Sequence, residues 1–161
     1  MLGAWLNKEH DEIVFVTEIV TGGSLKSYIK KISYPRAKVI KHWCNQILKG
    51  LEYLHTQEPY PIIHRDIKSE NIYINSNKAE LRIGDLGLST LMNNTCNYSI
   101  LGTPEYMAPE IFDEKYNILV DIYAFGMTIL EIATLETPYN ECKNNPVKLY
   151  KKVRFLGFEK W

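Results

Sequence analysis

The apolar positions of this chain first run together at Glu12-Ile13-Val14-Phe15-Val16-Thr17-Glu18, where β-branched and aromatic residues predict a strand. Thr21-Gly22-Gly23-Ser24 then supplies turning and capping residues, and a short helix is expected from Ser24 to about Lys31. Between Pro35 and His55 the spacing changes. Val39, Trp43, Ile47, Leu51 and Leu54 recur at steps of three and four, which predicts a long amphipathic helix with proline in its first turn. Short strands are expected at Ile72–Ile74 and Leu81–Ile83, joined by the turn-rich Asn75-Ser76-Asn77-Lys78. The polar stretch Met92 to Asn97 has too little apolar content to pack and is expected to be a mobile surface loop. From Ile118 to Ala133 the chain is almost wholly apolar, interrupted by Asp121 and Glu131. That run is shorter than a membrane span requires, so it predicts a buried core helix near Leu119 to Thr134. Thr137-Pro138-Tyr139 breaks it, and Pro146 is placed to start a last helix, Val147 to Val153.

With 161 residues, 45% of them hydrophobic, one sizeable core is within reach and one domain is the default. Lys plus Arg and Asp plus Glu balance at 19 each, so no net field draws the chain to nucleic acid or to an acidic membrane. Small molecules and proteins are the expected partners, with no nucleic acid and no membrane insertion. Cys44, Cys96 and Cys142 are odd in number and widely spaced, which predicts free thiols in a reducing, cytoplasmic setting rather than a metal or redox pair. The Lys148, Lys151 and Lys152 group reads as a solvated helix face.

Three blocks carry chemistry. They are Ile62-Ile63-His64-Arg65-Asp66-Ile67-Lys68-Ser69-Glu70-Asn71, then Asp85-Leu86-Gly87, then Ala108-Pro109-Glu110. Their order is that of the catalytic half of the protein-kinase signature. A carboxylate at Asp66 can accept a proton from a substrate hydroxyl, while Asn71 and Asp85 offer the hard oxygens that magnesium needs. Each block alone is an ordinary loop or turn; the ordered set is the signal. No Gly-x-Gly-x-x-Gly loop and no Val-Ala-Ile-Lys strand precede Asp66.

From Trp5 to about Val153 the chain resembles the with-no-lysine (WNK) serine/threonine kinases. The resemblance is carried by Ile83-Gly84-Asp85-Leu86-Gly87-Leu88, Leu101 to Glu110, Val120-Asp121-Ile122-Tyr123-Ala124-Phe125-Gly126-Met127, and Pro138-Tyr139-Asn140-Glu141-Cys142. It implies an α+β, protein-kinase-like fold: residues 1–20 as the end of the small lobe and the hinge, residues 21–161 as most of the helical lobe, a partial kinase domain over 1–161. It implies ATP and Mg2+ as cofactors, with Mn2+ as a substitute. Catalytic roles fall on Asp66, on Lys68 beside the transferred phosphoryl group, and on Thr103, which would bridge the two. Asn71 and Asp85 would hold metal. Thr17, Glu18 and Val20 would line the adenine pocket above Tyr73, though Thr17 and Tyr73 also suit ordinary strand positions. Gly102 to Tyr106 would receive the substrate residue after the phosphoacceptor. Asp121 would anchor the catalytic-loop backbone, and His64 would be a packed core histidine.

Regulation is implied at two places. The Asp85-Leu86-Gly87-Leu88 turn resembles the chloride-binding turn that holds the family inactive, the alternative being that leucine packs as phenylalanine does in other kinases. Ser99, with Thr95 second, resembles the family's activating phosphosite, where phosphate would pair with Arg65. The family reading predicts phosphorylation of serine or threonine in proteins, a downstream kinase among them, in osmotic, ion-homeostasis or stress signalling. The rival is a catalytically incomplete, partner-binding scaffold. Set against the family, the chain begins near the fourth small-lobe strand and ends before the late helices, so it reads as a fragment that transfers phosphate poorly by itself. Glu110 is expected to be a buried carboxylate without its usual arginine.

Overall fold

The computed structural model describes residues 2–10, 12–32, 34–92, 98–142 and 145–156. Thr95 and Cys96, singled out above, lie outside them, as does most of the polar stretch 92–97.

The chain opens with a hairpin. β1 (Gly3–Asn7) pairs antiparallel with β2 (Glu12–Val16), with Ala4 opposite Phe15 and Leu6 opposite Ile13. The predicted strand therefore ends at Val16, and Thr17 to Val20 runs on as irregular chain. β1 was not predicted, since Gly3-Ala4-Trp5-Leu6-Asn7 has little β-branching and draws its order from its partner strand. The Ser24 hydroxyl accepts the Ser27 amide at 3.3 Å and caps α1 (Leu25–Ile32).

α2 (Ala37–His55) is the 19-residue helix that the spacing requires. Its start differs from expectation: Arg36 is extended (φ −65°, ψ 146°), so Pro35 lies outside the first turn. Trp43, Ile47, Leu51 and Leu54 form its buried stripe, whereas Val39 is 37% exposed and falls off it. The stripe meets α3 (Leu119–Thr134), whose bounds match the predicted buried helix. Their shared core takes in Leu25, Ile67, Ile72 and Ile132, each fully buried and each contributing about 1.5–3 kcal/mol.

Between the helices lie two short strand pairs. β3 (Ile62–Ile63) pairs with β6 (Thr90–Leu91), and β4 (Ile72–Asn75) with β5 (Glu80–Ile83), Ile72 opposite Ile83. The β4–β5 hairpin lies against α2, and α1 lies against β4. Gly22 makes the approach possible, because a Cβ there would stand 2.1 Å from the Ile74 carbonyl oxygen. A second core of Ile63, Met107, Ile111, Tyr116 and Val120 fastens the segment after Thr103 to α3. α4 (Pro146–Lys151) is shorter than predicted and passes into a π-helical turn, Lys152–Leu156; Pro146 is its first residue, and the Asn145 side chain caps it. Lys152 pairs with Glu141, so the basic group is not wholly unpartnered. Glu110 is half-buried at the start of a 3-10 turn, so solvent contact reduces the expected desolvation cost.

Candidate active site

Two buried charges shape the loop between β3 and β4. Asp121, fully buried on α3, accepts the backbone N–H of His64 through Oδ2 and that of Arg65 through Oδ1, each at 2.9 Å. The His55 ring at the end of α2 lies 2.8 Å from Oδ2. These bonds hold Arg65 in a left-handed conformation (φ 68°), unfavourable for a residue with a side chain. His64 packs at zero exposure, its Nε2 3.0 Å from the Gly84 carbonyl and its Nδ1 accepting the Asp66 amide at 3.3 Å.

The strained turn delivers Asp66 into a dense set of donors. The Thr103 hydroxyl donates to Oδ1 at 2.6 Å; Asn71 Nδ2 and Lys68 Nζ reach Oδ2 at 2.7 and 2.9 Å. Lys68 also donates to the Thr103 oxygen at 2.7 Å, closing a triangle of carboxylate, ammonium and hydroxyl. Burial works against the Asp66 carboxylate, but the bonds from Thr103, Lys68 and Asn71 prevail and hold its pKa below the ordinary carboxylate value. Asp66 is thus an anion at neutral pH. Gly102 brings Thr103 in: its φ is 128°, and a Cβ there would lie 2.5 Å from the Arg65 carbonyl oxygen.

Beside this triangle lies a cleft of about 600 Å³ lined by Thr17, Glu18, Ile19, Val20, Tyr73 and Asp85. It gathers five predicted pocket residues from two stretches of chain more than fifty positions apart, 17–20 and 73–85. Gly84 permits the Tyr73 ring to approach there, for a Cβ would meet its edge at 2.8 Å. Asn71 is tied to the same place, its carbonyl accepting the Gly84 amide at 2.9 Å. Magnesium fits this arrangement. The Asn71 amide nitrogen binds Asp66, and its oxygen has no hydrogen-bond partner among the described residues. Asp85, left-handed at φ 60° and exposed, has the Gly87 amide at 3.3 Å as its one hydrogen-bond partner among the described residues. One amide and one carboxylate oxygen suit an ion that keeps waters and phosphate oxygens in its remaining positions.

Leu86, Gly87 and Leu88 form a single 3-10 turn. Leu86 is 47% exposed and faces a separate hollow, of about 650 Å³, beside Gln46, Gly50 and Tyr53 of α2. The Gly87 amide already donates to Asp85 at 3.3 Å, so an anion at this turn would compete with that carboxylate. Ser99 is exposed, and its carbonyl accepts the Tyr116 hydroxyl at 2.9 Å. Arg65 Nη1 reaches the same hydroxyl at 3.3 Å, while Nε donates to the Leu88 carbonyl at 2.6 Å. One phenol therefore separates Arg65 from Ser99.

Sequence reasoning did not find Tyr116, nor the part played by His55. It also passed over Lys26, whose ammonium lies 2.8 Å from Glu70 and 3.4 Å from Glu131. Glu131 alone gave a signal: a carboxylate inside an apolar run must find a cation or a donor.

The protein kinase domain family matches residues 3–156. The chain is 52% identical over 150 residues to the serine/threonine-protein kinase WNK8 of Arabidopsis thaliana, covering 93% of this chain and 26% of that protein. It is 54% identical over 152 residues to the serine/threonine-protein kinase pkpA of Phycomyces blakesleeanus, covering 93% and 24%. To the serine/threonine-protein kinase WNK3 of Mus musculus it is 53% identical over 141 residues, covering 88% and 8%. It spans about a quarter or less of the length of these curated relatives. With the site's geometry and these matches together, the chain belongs to the protein kinase family, as a stretch of catalytic domain similar to with-no-lysine kinases.

Proposed function

We propose that this domain takes part in transferring the terminal phosphoryl group of ATP to serine or threonine hydroxyls of proteins. The observation that carries the reading is the Asp66–Lys68–Thr103 triangle beside the Thr17–Asp85 cleft. Bound Mg·ATP would supply the phosphoryl group and neutralise charge on its oxygens. Thr17, Glu18 and Val20 would hold the base from the hinge side, above Tyr73; Asn71 and Asp85 would hold the metal. Asp66, anionic and fixed by three donors, would orient the substrate hydroxyl and take its proton as the bond to phosphorus forms. Lys68 stands where it can offset developing negative charge. On the resemblance to with-no-lysine kinases carried by Asp85-Leu86-Gly87-Leu88 and Leu101 to Glu110, the proposal extends to a parent in cytoplasmic osmotic, ion-homeostasis or stress signalling, with a downstream kinase as substrate, phosphate on Ser99 as activator and chloride as a restraint.

The test uses the intact protein with radiolabelled ATP, Mg2+ and a generic serine/threonine substrate. Incorporation into serine or threonine is expected, and Asp66→Asn should lower it about 10²–10⁴-fold while the fold is kept. Equal turnover in a folded Asp66→Asn protein would remove Asp66 from this role and favour a partner-binding module.

A further inference from the structure

Tyr116 places a hydroxyl inside an apolar core. It is 7% exposed, in the cluster that holds Ile63, Met107, Ile111 and Val120, with its ring 5.0 Å from that of Tyr98. Phenylalanine would satisfy that packing, so the oxygen needs a separate reason to be there, and its two bonds supply one. The Tyr116 hydroxyl donates to the Ser99 carbonyl at 2.9 Å and accepts Arg65 Nη1 at 3.3 Å. One phenol thereby uses its donor on one segment and its acceptor on another.

Those two segments are the ones that must meet at Asp66. On one side Arg65 immediately precedes Asp66, and its Nε donates to the Leu88 carbonyl at 2.6 Å, so the same side chain is also tied to the turn that follows Asp85. On the other side Ser99 leads through Ile100, Leu101 and Gly102 to Thr103. Packing does little to fasten that stretch. Ile100 and Leu101 are 44% and 39% exposed, and the bond from Tyr116 is the one hydrogen bond to residues 99–102 among the described residues. Yet Gly102 has to pass so near Arg65 that a Cβ on it would lie 2.5 Å from the Arg65 carbonyl oxygen, and the Thr103 hydroxyl has to arrive 2.6 Å from Asp66. An exposed stretch with few contacts opens easily, so a fixed point just upstream decides how often Thr103 is in place.

We propose that Tyr116 is a positioning residue for phosphoryl transfer: its hydroxyl, bound to Arg65 and to the Ser99 carbonyl, fixes the 99–102 backbone so that Thr103 arrives against Asp66. The inference rests on the proposed kinase function. Tyr116 acts through Thr103 rather than on the reacting atoms. Because the bond is to the Ser99 carbonyl and not to its hydroxyl, this role is separate from phosphate on that serine.

Tyr116→Phe keeps the ring and removes the hydroxyl. In the intact protein, with Mg·ATP and a serine peptide, it should lower kcat about tenfold, the effect of one hydrogen bond to a charged group, and leave the KM for ATP within about twofold. In a Thr103→Val background the same substitution should cost less than about threefold, since Thr103 is what the phenol positions. A merely structural loss would multiply with that of Thr103→Val. In Ser99→Ala, which keeps the carbonyl, the full loss should persist. The proposal is overturned if Tyr116→Phe keeps full kcat, if its loss multiplies with that of Thr103→Val, or if its loss vanishes in Ser99→Ala. Limited chymotrypsin digestion reads the segment without activity: cleavage after the exposed Leu101 should be about two- to tenfold faster in Tyr116→Phe, the range of one lost hydrogen bond. Equal cleavage rates overturn the fixed point. Absence of phosphoryl transfer by wild type would instead defeat the kinase reading, and the digestion would still decide whether Tyr116 holds the segment.

Discussion

Replacing Asp121 with asparagine should detach the catalytic loop from the helical core. The carboxylate, itself at zero exposure, receives two backbone N–H groups at 2.9 Å, one on each oxygen, and the His55 ring at 2.8 Å. Whichever oxygen becomes the amide NH2, one backbone donor, of His64 or of Arg65, then faces another donor. Loss of a hydrogen bond to a charged group costs about 1.5–3 kcal/mol, and the stranded buried N–H about 1–3 kcal/mol more. Relaxation limits the total. Arg65 is held at φ 68°, a strain of about 1–3 kcal/mol that disappears once the loop lets go. The net expectation is a loss of about 3 kcal/mol, a drop of roughly 6–12 °C in Tm for a domain of this size. The relaxed Arg65 no longer sets Asp66 against Thr103, so turnover should fall by about 10²-fold, as it does for a misplaced reacting group. Urea unfolding of the intact protein measures the first quantity and phosphoryl transfer the second. A stability change under about 1 kcal/mol together with retained turnover would refute the view that Asp121 holds the loop in its strained form.

Thr103→Val, which keeps the shape but removes the hydroxyl linking Asp66 and Lys68, should lower kcat more than it raises KM, by about 10-fold or more; steady-state kinetics decide it. Gly102→Ala should destabilise by about 1–3 kcal/mol, because φ 128° is unfavourable for alanine and its Cβ would meet the Arg65 carbonyl, and differential scanning calorimetry reads the cost. Because folding depresses the Asp66 pKa, its contribution to stability is complete above the unfolded value and disappears as pH falls below about 4. Urea titrations should accordingly show a shallower acid-side decline in Asp66→Asn. Ser99→Ala should cost activity and abolish phosphate at that position by mass spectrometry after incubation with Mg·ATP; full activity with Ser99→Ala would exclude the site as an activator.

Local rules were enough for the long elements. Steps of three and four from Trp43 to Leu54 leave helix as the one way to bury those side chains together, and sixteen nearly uncharged residues from Leu119 to Thr134 require a core position. Asp66, Asn71 and Asp85 were legible because their spacing around short strands forms a recognisable order, whereas the close backbone approaches at Gly22, Gly84 and Gly102 appeared only in the packed chain. Strand β1 escaped because its order comes from β2 rather than from its own residues. The pairing of charges escaped for a related reason. Sequence shows that Asp121 and Glu131 lie inside an apolar helix and must be satisfied, but the partners, two backbone amides 56 and 57 residues away and Lys26 on another helix, are decided by where α1, α2 and the catalytic loop meet α3. A carboxylate's need for a donor is written in its chemistry, whereas the donor it finds depends on distances set only when the whole chain has packed.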